Sequence, residues 1–162
     1  MGLYLIWQRL RHSRGFGIHS PYAFRFITEV LHQPCRYYAY DSLPDDILNE
    51  HEWKLLVRLL VHFRPRTISL GPGVPSRVGR FLRKVAPRVV FSGAPDLLIG
   101  FNEVPQEFTE SVHKGKLHAI IFNSKSAPAP QGRQQGMVFS NGKSWIMAAH
   151  KHLPPQNFEV YF

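Results

Sequence analysis

The sequence predicts an α/β domain with a mostly parallel sheet and antiparallel strands near its C-terminal end. Leu117–Phe122 and Leu97–Phe101 are apolar on successive residues, which is typical of strands buried on both faces. Segments with apolar residues three and four positions apart separate several such runs, which indicates helices packed on the sheet. Asn141-Gly142 lies between two later apolar runs and predicts a hairpin, so the strands there are expected to be antiparallel.

The N-terminal residues 1–45 are predicted to form a helical extension packed on the α/β domain, which spans 46–162. Residues 3–12 suit a short amphipathic helix, too short to span a bilayer, and its arginines follow the apolar residues instead of preceding them as in a secretory signal. We expect this helix to pack on the protein, with a surface-anchoring helix as the alternative. Ser20 and Pro21 predict the start of a second helix, with serine as the N-cap.

The remaining elements follow from periodicity and from the positions of proline and glycine. The predicted helices are 3–12, a helix from Ser20 to Pro34, a long helix from about Asp46 to Phe63, a helix from the glycine turn to Pro87, and one between Pro105 and His113 with Gly115 as its C-cap. The predicted strands are Thr67–Leu70, Arg88–Phe91, Leu97–Phe101, Leu117–Phe122, Met137–Phe139 and Phe158–Phe162. Residues 124–135 are predicted to be a loop, and 145–149 suit either a strand or a helical turn.

Composition narrows the class of protein. The 162 residues are enough for one domain with a hydrophobic core. Cys35 is the single cysteine, which excludes an internal disulfide framework and a multi-cysteine zinc site and suggests a cytoplasmic, reducing compartment. The nine histidines have no evident carboxylate or cysteine companions, so no metal is expected. No apolar run approaches 20 residues, so no transmembrane segment is expected. A homo-oligomer is compatible with the sequence.

The net charge of +9 is concentrated in the segment 64–88, which contains seven basic residues and no acid. Arg77, Arg80 and Lys84 fall on one side of the predicted helix that follows the glycine turn. This pattern has two interpretations, a solvated helix face or a surface that binds an anionic partner such as nucleic acid.

Three segments of the sequence resemble segments of one protein family. The stretch Arg14-Gly15-Phe16-Gly17-Ile18-His19-Ser20-Pro21-Tyr22-Ala23-Phe24 is similar to an N-terminal signature of a bacterial group of class I S-adenosylmethionine-dependent methyltransferases. Ile68-Ser69-Leu70-Gly71-Pro72-Gly73 resembles the family's first motif, a strand that enters a glycine-rich turn, and the segment 146–162 resembles its closing antiparallel hairpin. The resemblance implies a reduced Rossmann-like fold, S-adenosylmethionine as the methyl donor and an unknown methyl acceptor.

The resemblance also assigns a donor site, at positions Ser69, Gly71, Gly73, Ser92 and Asn123. The family usually has acidic residues at the positions of Ser69 and Ser92, often an aspartate at Asn123, and a glycine where this chain has Pro75. Each missing charge-assisted hydrogen bond costs roughly 1.5–3 kcal/mol, so donor binding is expected to be weakened or lost.

The connection between Arg88–Phe91 and Leu97–Phe101 is too short for a crossover helix, so these strands cannot be parallel neighbours. The sequence identifies no general base. We therefore expect a methyltransferase-like protein with weakened or lost donor binding. The alternative is a non-catalytic interaction module that uses the basic segment 64–88.

Overall fold

The computed structural model describes residues 3–45, 47–114, 116–124, 135–150 and 152–162. Its strands form one sheet of seven, β1 (Thr67–Leu70), β2 (Val90–Phe91), β3 (Leu97–Phe101), β4 (His118–Phe122), β5 (Met137–Ser140), β6 (Trp145–Ala148) and β7 (Gln156–Glu159). They are arranged in the order β2-β1-β3-β4-β6-β5-β7. The first four are mutually parallel, and β6 runs antiparallel to both β4 and β5. The predicted α/β class and mostly parallel sheet are confirmed.

Within the described ranges, five α-helices accompany the sheet, α1 (Leu3–Ser13), α2 (Pro21–Arg25), α3 (Glu50–Phe63), α4 (Ser76–Val85) and α5 (Gln106–His113). Helix α2 continues as a π-helical segment, Phe26–Leu31, and Tyr38–Ser42 form a 3₁₀ turn. Among the described residues, the longest helix is α3 with 14 residues, and no helix is long and apolar enough to cross a membrane.

The helices cover the two faces of the sheet unequally. The α2–π segment, α3 and α4 pack on one face, where Ile68, Ile99 and Ile120 belong to the main hydrophobic core. Helix α5 packs on the other face with a smaller cluster that includes Leu98 and Ile121. Helices on both faces of a parallel sheet explain why the β3 and β4 runs are apolar at successive positions.

Several boundaries differ from those predicted. Helix α3 begins at Glu50, later than expected, because Asn49 and Glu52 form a capping box in which each side chain accepts the other's backbone N–H. Residues 145–149 contain a strand, β6, and β7 begins earlier than predicted and pairs in parallel with β5. The predicted C-cap Gly115 and residues 125–134 of the predicted loop lie outside the described residues.

The prediction that β2 and β3 are not neighbours is confirmed, since they lie on opposite sides of β1. The five residues 92–96 connect β2 to β3 past β1, and they are hydrogen-bonded to the start of β1. The Thr67 hydroxyl donates to the Ala94 carbonyl oxygen and accepts from the Asp96 N–H. The Asp96 carboxylate accepts the backbone N–H groups of Arg66 and Thr67, at 2.9 and 3.1 Å. A short hydrogen-bonded turn thus connects β2 to β3 past β1 without a crossover helix.

Candidate functional site

The glycine turn follows β1 at the edge where the parallel strands end, and its two glycines differ in their surroundings. The Gly71 N–H donates to the Ile99 carbonyl oxygen at 2.8 Å. A Cβ atom at Gly71 would lie 3.2 Å from Cγ of Pro105, the residue that precedes α5. Gly73 has a left-handed backbone, with φ of 78°, and a Cβ there would meet no heavy atom within 4 Å. The space over Gly71 is therefore occupied by the protein itself, whereas Gly73 faces open space.

Ser69 lies within β1, half-buried, on the sheet face opposite α3 and α4. Its register partner Leu98 belongs to the α5 cluster, which defines this face. A serine is compatible with this position because the short 92–96 crossing replaces a helix that would otherwise cover this part of the face. The same argument accounts for the polar Thr67, two residues earlier.

Ser92 takes part in the crossing turn. Its hydroxyl accepts the Ala94 N–H at 3.2 Å, and its own N–H donates to the Ile68 carbonyl oxygen at 3.1 Å. These bonds place Ser92 beside the middle of β1, and the chain then turns back toward the start of that strand. The hydroxyl that the resemblance assigns to the donor ribose thus already accepts one hydrogen bond within a local turn.

Asn123 directly follows β4, and the structure adds a residue that the sequence argument missed, Asn102, which directly follows β3. Both have left-handed backbones, with φ of 52° and 65°, and the Asn123 amide donates to the Asn102 side-chain oxygen at 3.0 Å. The Asn123 N–H donates to the Ser144 hydroxyl. A polar residue immediately after an apolar strand was the available signal for Asn102, since carboxyl ends of neighbouring parallel strands meet at one edge.

The structure thus brings Gly71, Gly73 and Asn123 to the same edge of the sheet. The glycines follow β1 and Asn123 follows β4, and Asn102, which follows β3, lies between them. The structure leaves Ser92 in the crossing turn. These groups are uncharged and offer amide and backbone hydrogen bonds to a ligand. The nearest acidic residue along the chain is the exposed Glu103, which directly follows Asn102.

A cavity of about 310 Å³ opens beside Phe122, the last residue of β4. It is lined by Arg9, Asn49, His51, Glu52, Leu55, Phe122, Asn141, Lys143, Ser144, Tyr161 and Phe162. Much of its polar lining is already engaged. Asn141 bonds to the N–H groups of Lys143 and Ser144 and to the Phe162 carbonyl oxygen, and Arg9 pairs with Glu159. The cavity therefore suits a mainly apolar ligand, and the exposed Lys143 supplies a positive charge in its lining.

The predicted anion-binding residues Arg77, Arg80 and Lys84 are all exposed on α4. The helix buries Val78 and Phe81 against the core, so its outer face consists largely of cations. Arg83, on the same helix, lies over the Phe91 ring, with its guanidinium carbon 4.8 Å from the ring centroid. Among the described residues, no ion pair neutralises Arg80 or Lys84.

A group of histidines lies at the opposite edge, where β4 begins. His118 Nδ1 accepts the Ala149 N–H at 3.1 Å, and its ring stacks on Phe63 with centroids 4.2 Å apart. Burial, followed by the neighbouring imidazoles of His150 and His62, lowers the pKa of His118 to about 4. Within the described part of the chain, no three His, Cys, Asp or Glu residues are placed to hold a metal ion. The neutral ring of His118 thus acts as a packing and hydrogen-bonding group.

Comparisons of the chain with protein-family models, with curated proteins and with solved structures found no match. The likeness to methyltransferases therefore depends on the sequence motifs alone.

Proposed function

We propose that this chain is a methyltransferase-like protein of Rossmann-like fold that has lost donor binding and acts as a non-catalytic module, binding a nucleic acid through helix α4. The observation that supports the proposed loss of donor binding is the contact of Pro105 with Gly71, the first glycine of the turn. A Cβ at Gly71 would be 3.2 Å from the Pro105 ring, whereas Gly73 faces open space.

Two further features support loss of the donor. Ser92, at the position for the ribose, is bonded within the crossing turn to Ala94. The positions that the resemblance assigns to acidic residues are occupied by Ser69, Ser92 and Asn123, which carry no carboxylate. With two charge-assisted hydrogen bonds missing, at roughly 1.5–3 kcal/mol each, affinity falls by a factor of about a hundred or more.

The architecture supports the methyltransferase-like part. The resemblance places an antiparallel hairpin at 146–162, and this position is wrong, because β7 pairs in parallel with β5. The hairpin forms one strand earlier, between β5 and β6, with β6 inserted antiparallel between β4 and β5. Helices pack on both faces, as they do in doubly wound sheets.

The basic face supports the binding role. Arg80, Lys84 and Arg88 are exposed, and the segment 64–88 contains no acid. Cations spaced along one helix can contact successive phosphates of a nucleic-acid backbone, and such contacts bind without sequence preference.

Calorimetric titration with S-adenosylmethionine and with its demethylated product tests the proposed loss of donor binding. We expect no heat of binding at ligand concentrations of about 1 mM, where a site weakened by missing ion pairs stays largely empty. A measurable heat of binding at this concentration would contradict the proposal.

Fluorescence anisotropy with a labelled duplex oligonucleotide tests the proposed nucleic-acid binding through helix α4. The Arg80→Glu/Lys84→Glu variant should bind at least tenfold more weakly and show a salt slope reduced by about two phosphate contacts. The matched control Lys116→Glu/Lys143→Glu makes the same change in net charge elsewhere and should bind nearly as well as the wild type. Equal losses in both variants would mean that overall charge, and not the α4 face, attracts the oligonucleotide.

A second candidate function, residual methyl transfer, is favoured by the cavity of about 310 Å³ beside Phe122, which lies next to Asn123 at the end of β4. In this case the cavity would receive the methyl acceptor, and the Asn102–Asn123 amide pair would lie near the methyl group. Donor binding in the calorimetric titration would favour this candidate over the first.

A further inference from the structure

Helix α1 is oriented with its polar side toward the protein. Arg9 is 4% exposed, and its Nε and Nη2 both donate to Glu159 Oε2, at 2.9 and 2.8 Å. His12 Nδ1 lies 3.0 Å from the Glu159 carbonyl oxygen, and the Ser13 hydroxyl accepts the Tyr161 N–H at 2.7 Å. These polar bonds attach the helix beside β7.

The apolar side chains of α1 consequently face outward. Leu3, Trp7 and Leu10 are 85%, 54% and 49% exposed, and they recur at the spacing of one helix face. Phe16, in the following loop, and Phe24, in α2, are also exposed, at 63% and 45%. Single exposed apolar residues are ordinary, but a continuous face of this kind marks an interaction surface.

Cations flank the apolar face. The Arg11 guanidinium carbon lies 4.6 Å from the centroid of the Trp7 ring, and Arg14 and Arg25 are exposed nearby along the chain. The first acidic residue in the sequence is Glu29, so no carboxylate lies within this N-terminal segment. The exposed side chains of residues 1–28 therefore combine aliphatic and aromatic groups with positive charge, and the neighbouring Glu159 is paired with Arg9.

We propose that α1 and the loop after it form a docking surface for an anionic phospholipid membrane. Leucine and tryptophan side chains on one helix face, with arginines beside them, suit a helix that lies in the plane of the headgroups. With 11 residues the helix is about 16 Å long, so it lies on the membrane surface and does not cross it. This inference is independent of the proposed role of α4.

Charge decides between a membrane and a second copy of the chain. A symmetric dimer through this face would bring Arg11 and Arg14 of two copies together with no acidic partner among residues 1–28. An anionic lipid surface complements the same charges and attracts each nearby arginine.

Tryptophan fluorescence tests the proposal on the intact chain. Trp53 and Trp145 are buried, so a change in the emission on adding vesicles reports Trp7, the remaining tryptophan. We expect a blue shift and reduced quenching by acrylamide with vesicles of phosphatidylcholine containing about one-third phosphatidylglycerol. The effect should weaken in high salt and be much smaller with phosphatidylcholine alone.

Variants that keep Trp7 locate the surface. Leu3→Ser/Leu10→Ser and Arg11→Gln/Arg14→Gln should each weaken vesicle partitioning about tenfold or more. The matched control Val61→Ser/Val90→Ser removes two exposed aliphatic groups elsewhere and should partition like the wild type. All of these positions are exposed, so thermal unfolding followed by circular dichroism should be nearly unchanged.

Three results would overturn the proposal. The first is the absence of a blue shift with anionic vesicles at low salt. The second is an equal loss of partitioning in the control variant. The third is a dimer in analytical ultracentrifugation that Leu3→Ser/Leu10→Ser converts to a monomer without any effect of vesicles on Trp7, which would assign this face to a second copy of the chain.

Discussion

Gly71 shows how one residue type can serve two different purposes at the same position. In a donor-binding turn, a glycine lets the ligand approach the backbone. Here the nearest atoms to a Cβ at Gly71 belong to Pro105, at 3.2 and 3.5 Å, with the Gly100 Cα at 3.6 Å. The glycine is thus required by the packing of the segment before α5 on the end of β1.

Replacing Gly71 with alanine tests this packing role. We expect Gly71→Ala to lower the free energy of unfolding by about 1–2 kcal/mol, because the added methyl group must displace the Pro105 ring. Urea unfolding measures the loss. Adding Pro105→Ala should recover part of it, so the two changes should be non-additive in a double-mutant cycle. Additive effects would show that the methyl group does not act through Pro105.

The connection between β2 and β3 shows how five residues can replace a missing element. Asp96 organises the turn through the N–H groups of Arg66 and Thr67. Its slight burial acts to raise the pKa, but these hydrogen bonds outweigh that effect, and the pKa of Asp96 lies below its ordinary value. The carboxylate therefore stabilises the fold above pH 3.8, and this contribution is lost as the pH falls below that value.

Removing the carboxylate should loosen this edge of the sheet. We expect Asp96→Ala to cost about 1–2 kcal/mol in the free energy of unfolding, since two backbone donors at the start of β1 lose their acceptor. Hydrogen exchange at Arg66 and Thr67 should accelerate. Asp41→Ala, which removes a surface ion pair with Arg36, is the control and should change stability by less than about 1 kcal/mol. Unchanged exchange at Arg66 would contradict the assignment.

At the scale of the whole molecule, the histidine group joins distant parts of the chain. His118 on β4 contacts Phe63 at the end of α3 and His150 after β6, and Tyr22 on α2 contacts both His62 and His150. Burial lowers the pKa of His62 and His150 as well as that of His118. The neutral imidazoles of His62, His118 and His150 thus connect the N-terminal extension with α3, the sheet and the segment after β6.

This arrangement predicts acid sensitivity. The unfolded chain takes up protons near pH 6.5, whereas folded His118 does so near pH 4, so stability should fall as the pH drops through this window and level off above it. His118 alone accounts for up to about 3 kcal/mol. Urea unfolding at about pH 7 and about pH 4.5 measures the difference. His118→Gln should reduce the pH dependence, whereas an unaltered dependence in this variant would assign it to other groups.

Local sequence was sufficient for most elements of the fold. Successive apolar residues in β3 and β4 predicted buried strands, and Ser20-Pro21 predicted the start of α2, where the serine side chain accepts the Ala23 N–H. The sequence also predicted the edge that holds Gly71 and Asn123. It did not identify Asn102, because the pairing of its side chain with Asn123 depends on β3 and β4 being neighbours.

The sequence by itself determined the α/β class, the glycine turn, the basic outer face of α4 and the absence of carboxylates at the expected donor positions, because these properties depend on residue type and short-range periodicity. Only the tertiary structure decided that Pro105 covers Gly71, that Ser92 is used in a local turn, and that α1 buries Arg9 while exposing Trp7. These outcomes depend on residues far apart in the chain. The Arg9–Glu159 pair, 150 positions apart, orients α1 with its apolar side outward, although the short-range pattern alone predicted a helix packed on the protein.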